Sequence, residues 1–155
     1  MARTSGAELA QLLLGGFHAM ADEVIAELER RGHPGVRPAH EFALRAIDAG
    51  ADTASALGRR LTVSKQAAAK TIAGLEQLGY VGRTSDPSDA RLKRVQVTPR
   101  GHELMTVGAR LFDEVRDRWA AQIGAAQLAE IERQLVALIG DRREQAQGEA
   151  PQRAT

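Results

Sequence analysis

The residues with the most chemical potential in this chain sit close together. Lys65, Gln66, Ala69 and Lys70 follow Ser64 at spacings that put all four on one face of a helix begun there. A lysine can donate to O6 and N7 of guanine, and a glutamine can pair with N6 and N7 of adenine. Ala69, with Ala67 beside it, is small enough to let such a helix lie against base edges or touch a thymine methyl. Thr62, Ser64 and the free N–H groups of a helix start suit phosphate oxygens. A second basic group, Arg91, Lys93 and Arg94, follows a dense turn signal at residues 84–89. A hairpin tip carrying these side chains fits a backbone or minor-groove contact, where negative potential is concentrated.

These side chains need a scaffold, and the flanking residues predict one. Gly58 allows close crossing of two helices, Leu61 and Val63 bracket a turn, Ser64 caps the second helix, and Ala68 and Ile72 lock it onto the first. This is the spacing of a helix-turn-helix, whose second helix enters a major groove about 12 Å wide. A plain two-helix corner in an α-helical protein is the competing reading. The buried stripe of the second helix is Ala68, Ile72, Leu75 and Leu78, ended by Gly79. Tyr80, Val81 and Gly82 then lead into the turn, and Val95 and Val97 alternate with polar residues on the way out, which predicts a small β-hairpin.

Around this segment lie further helices. Leu9, Leu13, Phe17, Met20, Val24 and Leu28 form one stripe of a long helix over residues 6–31, ended by Gly32 and Pro34. Pro38 opens a second, with Phe42, Ala43, Ala46 and Ile47 inward and Gly50 as its stop. Asp52 or Thr53 caps a third, with Ala56, Leu57 and Leu61 inward. Thr98 and Pro99 start a fifth, carrying Leu104, Leu111, Val115, Trp119 and Ile123, and a last helix carries Leu128, Ile131, Leu135 and Leu138. Residues 146–155 have nothing to bury and read as a disordered tail.

Composition narrows the function. The 155 residues include no cysteine, which excludes disulfides, thiolate nucleophiles, thiol redox sensing and cysteine-containing zinc sites. The five aromatics are too scattered to form a stacking platform for single strands. The net charge of +1 hides an uneven distribution: residues 1–58 carry −3, residues 59–100 carry +6 and residues 101–155 carry −2. The basic block holds all three lysines and coincides with the helix pair and hairpin. It reads as a polyanion-binding footprint or as a solvated basic face. Apolar runs are too short to span a bilayer and no leader pattern opens the chain, so a cytoplasmic location without membrane contact is expected. Neither cofactor nor metal is expected. His18, His33, His40, Glu41 and His102 are the candidate ligands, yet no two histidines stand four apart as on one helix face.

Residues 57–101 resemble the MarR-type winged helix-turn-helix regulators. The carrying features are the stretch 75–81 at the end of the recognition helix and residues 86–101. The latter are similar to the family's D-x-R…L-T-x-x-G pattern, with Val97 where leucine is usual. The resemblance implies a mainly α fold with a small β-hairpin wing, formed by a winged helix-turn-helix lobe (37–98) plus a helical dimerisation domain (1–36 and 99–145). It implies a homodimer on a pseudo-palindromic site in double-stranded DNA, acting as a transcriptional regulator and repressor, not an enzyme. It further implies a small aromatic effector bound between the two parts, where Phe17, His18, His40 and Phe42 should lie; a histidine there also reads as a core residue. The family's order of elements is the one read from the residues. A protein-interaction module without specific DNA binding is the alternative class. An enzyme is disfavoured because no phosphate-binding glycine loop, nucleophile elbow or paired apolar carboxylates occur.

Overall fold

The computed structural model describes residues 4–91 and 93–148. In chain order these form α1 (Gly6–Arg30), α2 (Pro38–Asp48), α3 (Ala54–Leu61), α4 (Lys65–Gln77), β1 (Val81–Ser85), β2 (Lys93–Val97), α5 (Pro99–Ile123) and α6 (Ala125–Gly148). The fold is mainly α with a small hairpin, as the sequence leads one to expect. The helix starts are fixed locally. Ser5 and Glu8 exchange side chain-to-backbone bonds at the head of α1, and the hydroxyls of Thr53, Ser64 and Thr98 each accept an N–H three residues on, at 3.1 Å. Thr53, not Asp52, takes the α3 cap.

β1 and β2 pair antiparallel, with Val81 opposite Val97 and Ser85 opposite Lys93. Val81, Val95 and Val97 turn inward, and their partners along each strand face out. One apolar core joins α1–α5 and the hairpin, centred on the fully buried Leu28, Leu44, Leu57, Ile72, Leu75, Tyr80 and Leu104.

The structure departs from the sequence reading on α2 and at the expected tail, and it shows how much of each terminal stripe the chain itself covers. On α2 the buried face is His40, Glu41, Ala43, Leu44, Ala46 and Ile47, whereas Phe42 is 40% exposed. Only the C-terminal half of the α1 stripe is covered: Val24 and Leu28 are buried, while Leu9 and Leu13 lie on the surface. Helix α6 continues to Gly148, so residues 146–148 are helical; residues 149–155 of the expected tail lie outside the described residues. On α6, Leu128 is buried but Ile131 and Leu138 are exposed.

Candidate nucleic-acid interface

The helix pair α3–α4 is close because Gly58 lacks a side chain. A Cβ there would stand 2.9 Å from the backbone oxygen of Val63 and 3.4 Å from that of Ser64. The turn closes through a 2.9 Å bond from Val63 N–H to the Gly58 carbonyl. Its first residue, Thr62, is left-handed at φ 57°, ψ 44°, a conformation that strains a β-branched residue. Ala68, Ile72 and Leu75 then bury one side of α4. The opposite side places Lys65, Gln66, Ala69 and Lys70 in solvent, with Thr62 and Ser64 exposed at its head. The Ser64 hydroxyl oxygen already caps α4, so its remaining function toward a ligand is as a donor.

The hairpin is fastened to the helix pair by charge. Arg94 donates to Asp86 at 2.6 Å and to Asp52 at 2.8 Å, and Val95 N–H donates to the Asp52 carbonyl at 2.8 Å. Asp86 also accepts from the hydroxyl and N–H of Ser88. The Ser88 hydroxyl, with the Arg94 guanidinium, holds the Asp86 carboxyl well below the usual carboxylate range. Arg94 therefore differs from the expectation of an outward DNA contact: its guanidinium braces the wing against the α3 entry. Arg83 likewise pairs with Glu76 on α4, and Arg100 donates to the Gly32 carbonyl at 3.0 Å. The remaining cations of the basic block, Arg59, Arg60, Lys65, Lys70, Arg91 and Lys93, are exposed and form no ion pair among the described residues. Two of its three acids, Glu76 and Asp86, are the ones consumed by those internal pairs. Those pairs cancel cation against acid one for one, so the positive charge of the block is carried by the side chains that project from this face. Arg59 and Arg60, in the last turn of α3, belong to it and were missed; their position one turn before the helix-turn-helix corner is the signal that could have found them.

The four residues expected at an effector site separate into two places. Phe17 stacks obliquely on His18 and on Phe42, with ring centroids 5.6 and 5.9 Å apart. His40 is buried elsewhere, accepting the Arg37 N–H at Nδ1 (3.2 Å) and presenting Nε2 to α4, 3.1 Å from where a Gly74 Cβ would be. Burial, reinforced by Arg37, lowers its pKa. Beside it, Glu41 is 1% exposed, with one carboxylate oxygen on Arg45 at 2.5 Å and the other without a partner. Desolvation raises its pKa. Its carboxylate packs on α5 at Gly108, where a Cβ would come within 2.8 Å. A separate charged groove of about 260 Å³ lies between α1 and α5, over Val24, Leu111 and Val115, and none of the four residues lines it. Among the described residues no group of three or more histidines and carboxylates is placed to hold a metal.

Residues 35–92, which span α2, the helix pair, β1 and the hairpin tip, match the family model of the MarR family. This lobe is similar to the MarR family. No curated protein matches the chain in sequence, but solved structures extend the likeness beyond the lobe. A MarR-family transcriptional regulator from Rhodococcus sp. RHA1 superposes with TM-score 0.67 at 19% identity, covering 88% of this chain and 97% of that one. The S. aureus MepR–DNA complex gives 0.68 at 17%, covering 90% and 99%. CouR from Rhodococcus jostii RHA1, bound to p-coumaroyl-CoA, gives 0.64 at 19%, covering 88% and 95%. The chain thus has the fold of the MarR-family transcriptional regulators from α1 through α6, and no helix among its described residues is long and apolar enough to cross a membrane. The MarR pattern in residues 86–101 acquires a physical meaning here. Its D-x-R pair is Asp89 and Arg91, where the Asp89 carboxylate accepts the Arg91 N–H at 2.9 Å and shapes the hairpin tip, and its final glycine, Gly101, lets α5 start against the backbone of Tyr80: a Cβ would overlap the Tyr80 carbonyl oxygen and stand 2.6 Å from Val97 Cγ1.

Proposed function

We propose that the chain is a cytoplasmic, sequence-specific regulator of transcription, a repressor that binds a pseudo-palindromic site in double-stranded DNA as a homodimer. The observation that carries this reading is the one-sided separation of charge in the lobe. Six cations point outward around the α4 head and the wing, while Arg83, Arg94 and Arg100 are used internally. Lys65 and Gln66, with Ala69 and Lys70 a turn later, read base edges; Thr62, Ser64, Arg59 and Arg60 hold phosphates; Arg91 and Lys93 reach the adjacent backbone or minor groove. Arg94 contributes by fixing the wing. The DNA in the MepR complex, a protein of the same fold, supports the partner class.

Dimerisation is supported by apolar side chains that the single chain leaves in water: Leu9, Leu12 and Leu13 on α1 and Ile131, Val136 and Leu138 on α6 are 47–78% exposed. Stripes of that extent on two long helices are covered by a second copy. The Phe17, His18 and Phe42 cluster lies where α1 meets α2 and suits a small aromatic effector that releases DNA; CouR, which holds an aromatic acyl-CoA, supports that ligand chemistry. Genomic fragments retained by the protein, sequenced and then tested by mobility shift at low and moderate salt, provide the test. The expected result is a two-fold-related motif whose affinity falls with salt, with a log–log slope of about −0.9 per phosphate neutralised. Lys65→Ala or Gln66→Ala should relax base preference at one position per half-site, by about 1–3 kcal/mol. No retarded fragment at either salt would overturn the reading in favour of an interaction module.

A further inference from the structure

Where the winged lobe meets the rest of the chain, three segments converge on one tyrosine. Tyr80 is fully buried between the end of α4 and the start of β1. Its backbone is used twice, its N–H donating to the Leu75 carbonyl at 2.9 Å and its carbonyl accepting from Thr98 N–H at 3.0 Å. Its phenol crosses to the loop after α1, where His33 Nδ1 lies 3.0 Å from the hydroxyl and the rings are 5.8 Å apart. His33 is itself 3% exposed. Over the Tyr80 ring lies the Arg100 guanidinium, 5.2 Å from the centroid, and Arg100 also donates to the Gly32 carbonyl at 3.0 Å. The loop at residues 32–33 is therefore held by two side chains: Tyr80 from the winged lobe and Arg100 from the head of α5.

None of these residues faces the proposed DNA surface, yet all stand at the joint between that surface and α1. We infer that His33, Tyr80 and Arg100 form a latch that sets the winged lobe at a fixed angle to the long helices, so that His33 and Tyr80 are positioning residues for the separation of the two recognition helices in the dimer. This rests on the dimeric DNA-binding reading above and adds residues that touch no DNA. The physical basis is that a two-fold dimer reads two half-sites at a spacing set by protein geometry. A change in lobe angle at each joint alters that spacing at the distant end of the lobe.

The latch is also sensitive to protons. In the neutral Nε2–H tautomer of His33 the phenol donates its proton to Nδ1. Burial, with Arg100 nearby, lowers the His33 pKa below its ordinary 6.5, and Glu103 on α5 works the other way. Burial likewise raises that of Tyr80, so the phenol keeps its proton. Protonating Nδ1 reverses the hydrogen bond and sets an imidazolium beside Arg100. The latch is intact above pH 6.5 and is lost as the pH falls through the lower, folded-state value.

The experiment uses the full chain and synthetic duplexes carrying the selected half-sites at their natural spacing and at spacings one base pair longer and shorter. The wild type should prefer the natural spacing, and should lose part of that preference as the pH is lowered below 6.5. Tyr80→Phe keeps the ring and its packing but removes the hydroxyl. It should reduce the spacing preference about two- to tenfold, the range expected for one hydrogen bond, with binding to a non-specific duplex unchanged. His33→Gln, whose amide can still accept the phenol proton, should keep the preference and lose its pH dependence. Thermal unfolding of each variant separates loss of fold from loss of angle. Equal loss of affinity at every spacing in Tyr80→Phe, or an undiminished preference, would overturn the latch while leaving DNA binding standing. A wild type that binds no duplex would overturn both.

Discussion

The winged lobe and the two terminal helices are built from the same kind of apolar stripe, but they finish differently. In the lobe, Leu44, Leu57, Ile72 and Leu75 have almost no exposed surface, and even the charged wing is internally paired through Arg94. Along α1 the stripe is covered at Val24 and Leu28 and then runs uncovered through Leu13 and Leu9, with α6 left open at Ile131 and Leu138. One region closes within the chain and the other waits for a second copy. Substitutions in the lobe should therefore act on folding of the single chain, and substitutions on the open stripes on association.

The largest effect is expected at Gly101. A methyl group there meets backbone at Tyr80 and a buried methyl of Val97, and neither can move without shifting α5 or the hairpin. Gly101→Ala should destabilise the lobe by at least about 3 kcal/mol in urea unfolding, at the upper end of overpacking costs. Gly58→Ala, whose nearest neighbours are 2.9 Å and farther, should cost less, about 1–3 kcal/mol. Neither value should depend on protein concentration if the lobe closes on itself.

Leu13→Glu makes the opposite test. In the isolated chain Leu13 is 51% exposed, so a carboxylate there costs little. In a dimer that covers the stripe, it places an unpaired charge in an apolar interface. The dissociation constant from sedimentation equilibrium should rise about a hundredfold or more, with the unfolding of the monomer nearly unchanged. A variant that unfolds the monomer instead, or leaves association intact, would remove the distinction between the two regions.

How far the sequence already contained this division depends on which residues are considered. Capping hydroxyls, helix-stopping glycines and the Gly58 corner act within a few residues, and the helix-turn-helix and wing were legible from them. The direction of a stripe was legible too, but not what covers it, because periodicity defines a face and says nothing about a second chain. Long-range partners were hidden for the same reason. Arg94 counted as one more cation in a basic block, since nothing local shows that Asp52, left unused once Thr53 caps α3, reaches it across the hairpin. Phe42 was read as inward by its hydrophobicity, and nothing local brought Glu41 inside. The reverse holds because Gly108, on a distant helix, leaves room for a carboxylate and Phe17 offers Phe42 an aromatic neighbour at the surface.

A smaller effect should arise at Thr62, where the lobe carries strain next to the proposed DNA face. Thr62→Gly removes the left-handed penalty, about 1–2 kcal/mol, against a loss of about 0.5–1 kcal/mol from the freer unfolded chain, so it should stabilise slightly. The same change removes a hydroxyl assigned to a phosphate. Higher unfolding midpoint with weaker operator binding of unchanged salt slope is the expected pair of results; weaker binding without the stability gain would mean that the turn carries no strain.

The smallest expected effect concerns two adjacent residues on α2. His40 and Glu41 are both buried, and burial opposes the charge of each, but the consequences for stability run in opposite directions. The folded-state pKa of His40 is depressed from 6.5, so its contribution is present above that pH and is lost as the pH falls. The folded-state pKa of Glu41 is raised from 4.5, so its contribution is present below that pH and is lost as the pH rises through the folded value. His40 acts on α4 and hence on the lobe, whereas Glu41 acts on α5 and hence on the joint with the long helices. Unfolding free energies measured from pH 4.5 to 8 should show the two slopes separately in variants. Glu41→Gln should remove the gain in stability at the acid end and, by deleting an incompletely paired buried charge, leave stability at pH 8 equal or higher. His40→Gln should flatten the loss below pH 6.5 while leaving the Glu41 slope in place. Identical pH profiles for the two variants would mean that lobe and joint titrate as one unit, and that the boundary drawn between them at α2 is in the wrong place.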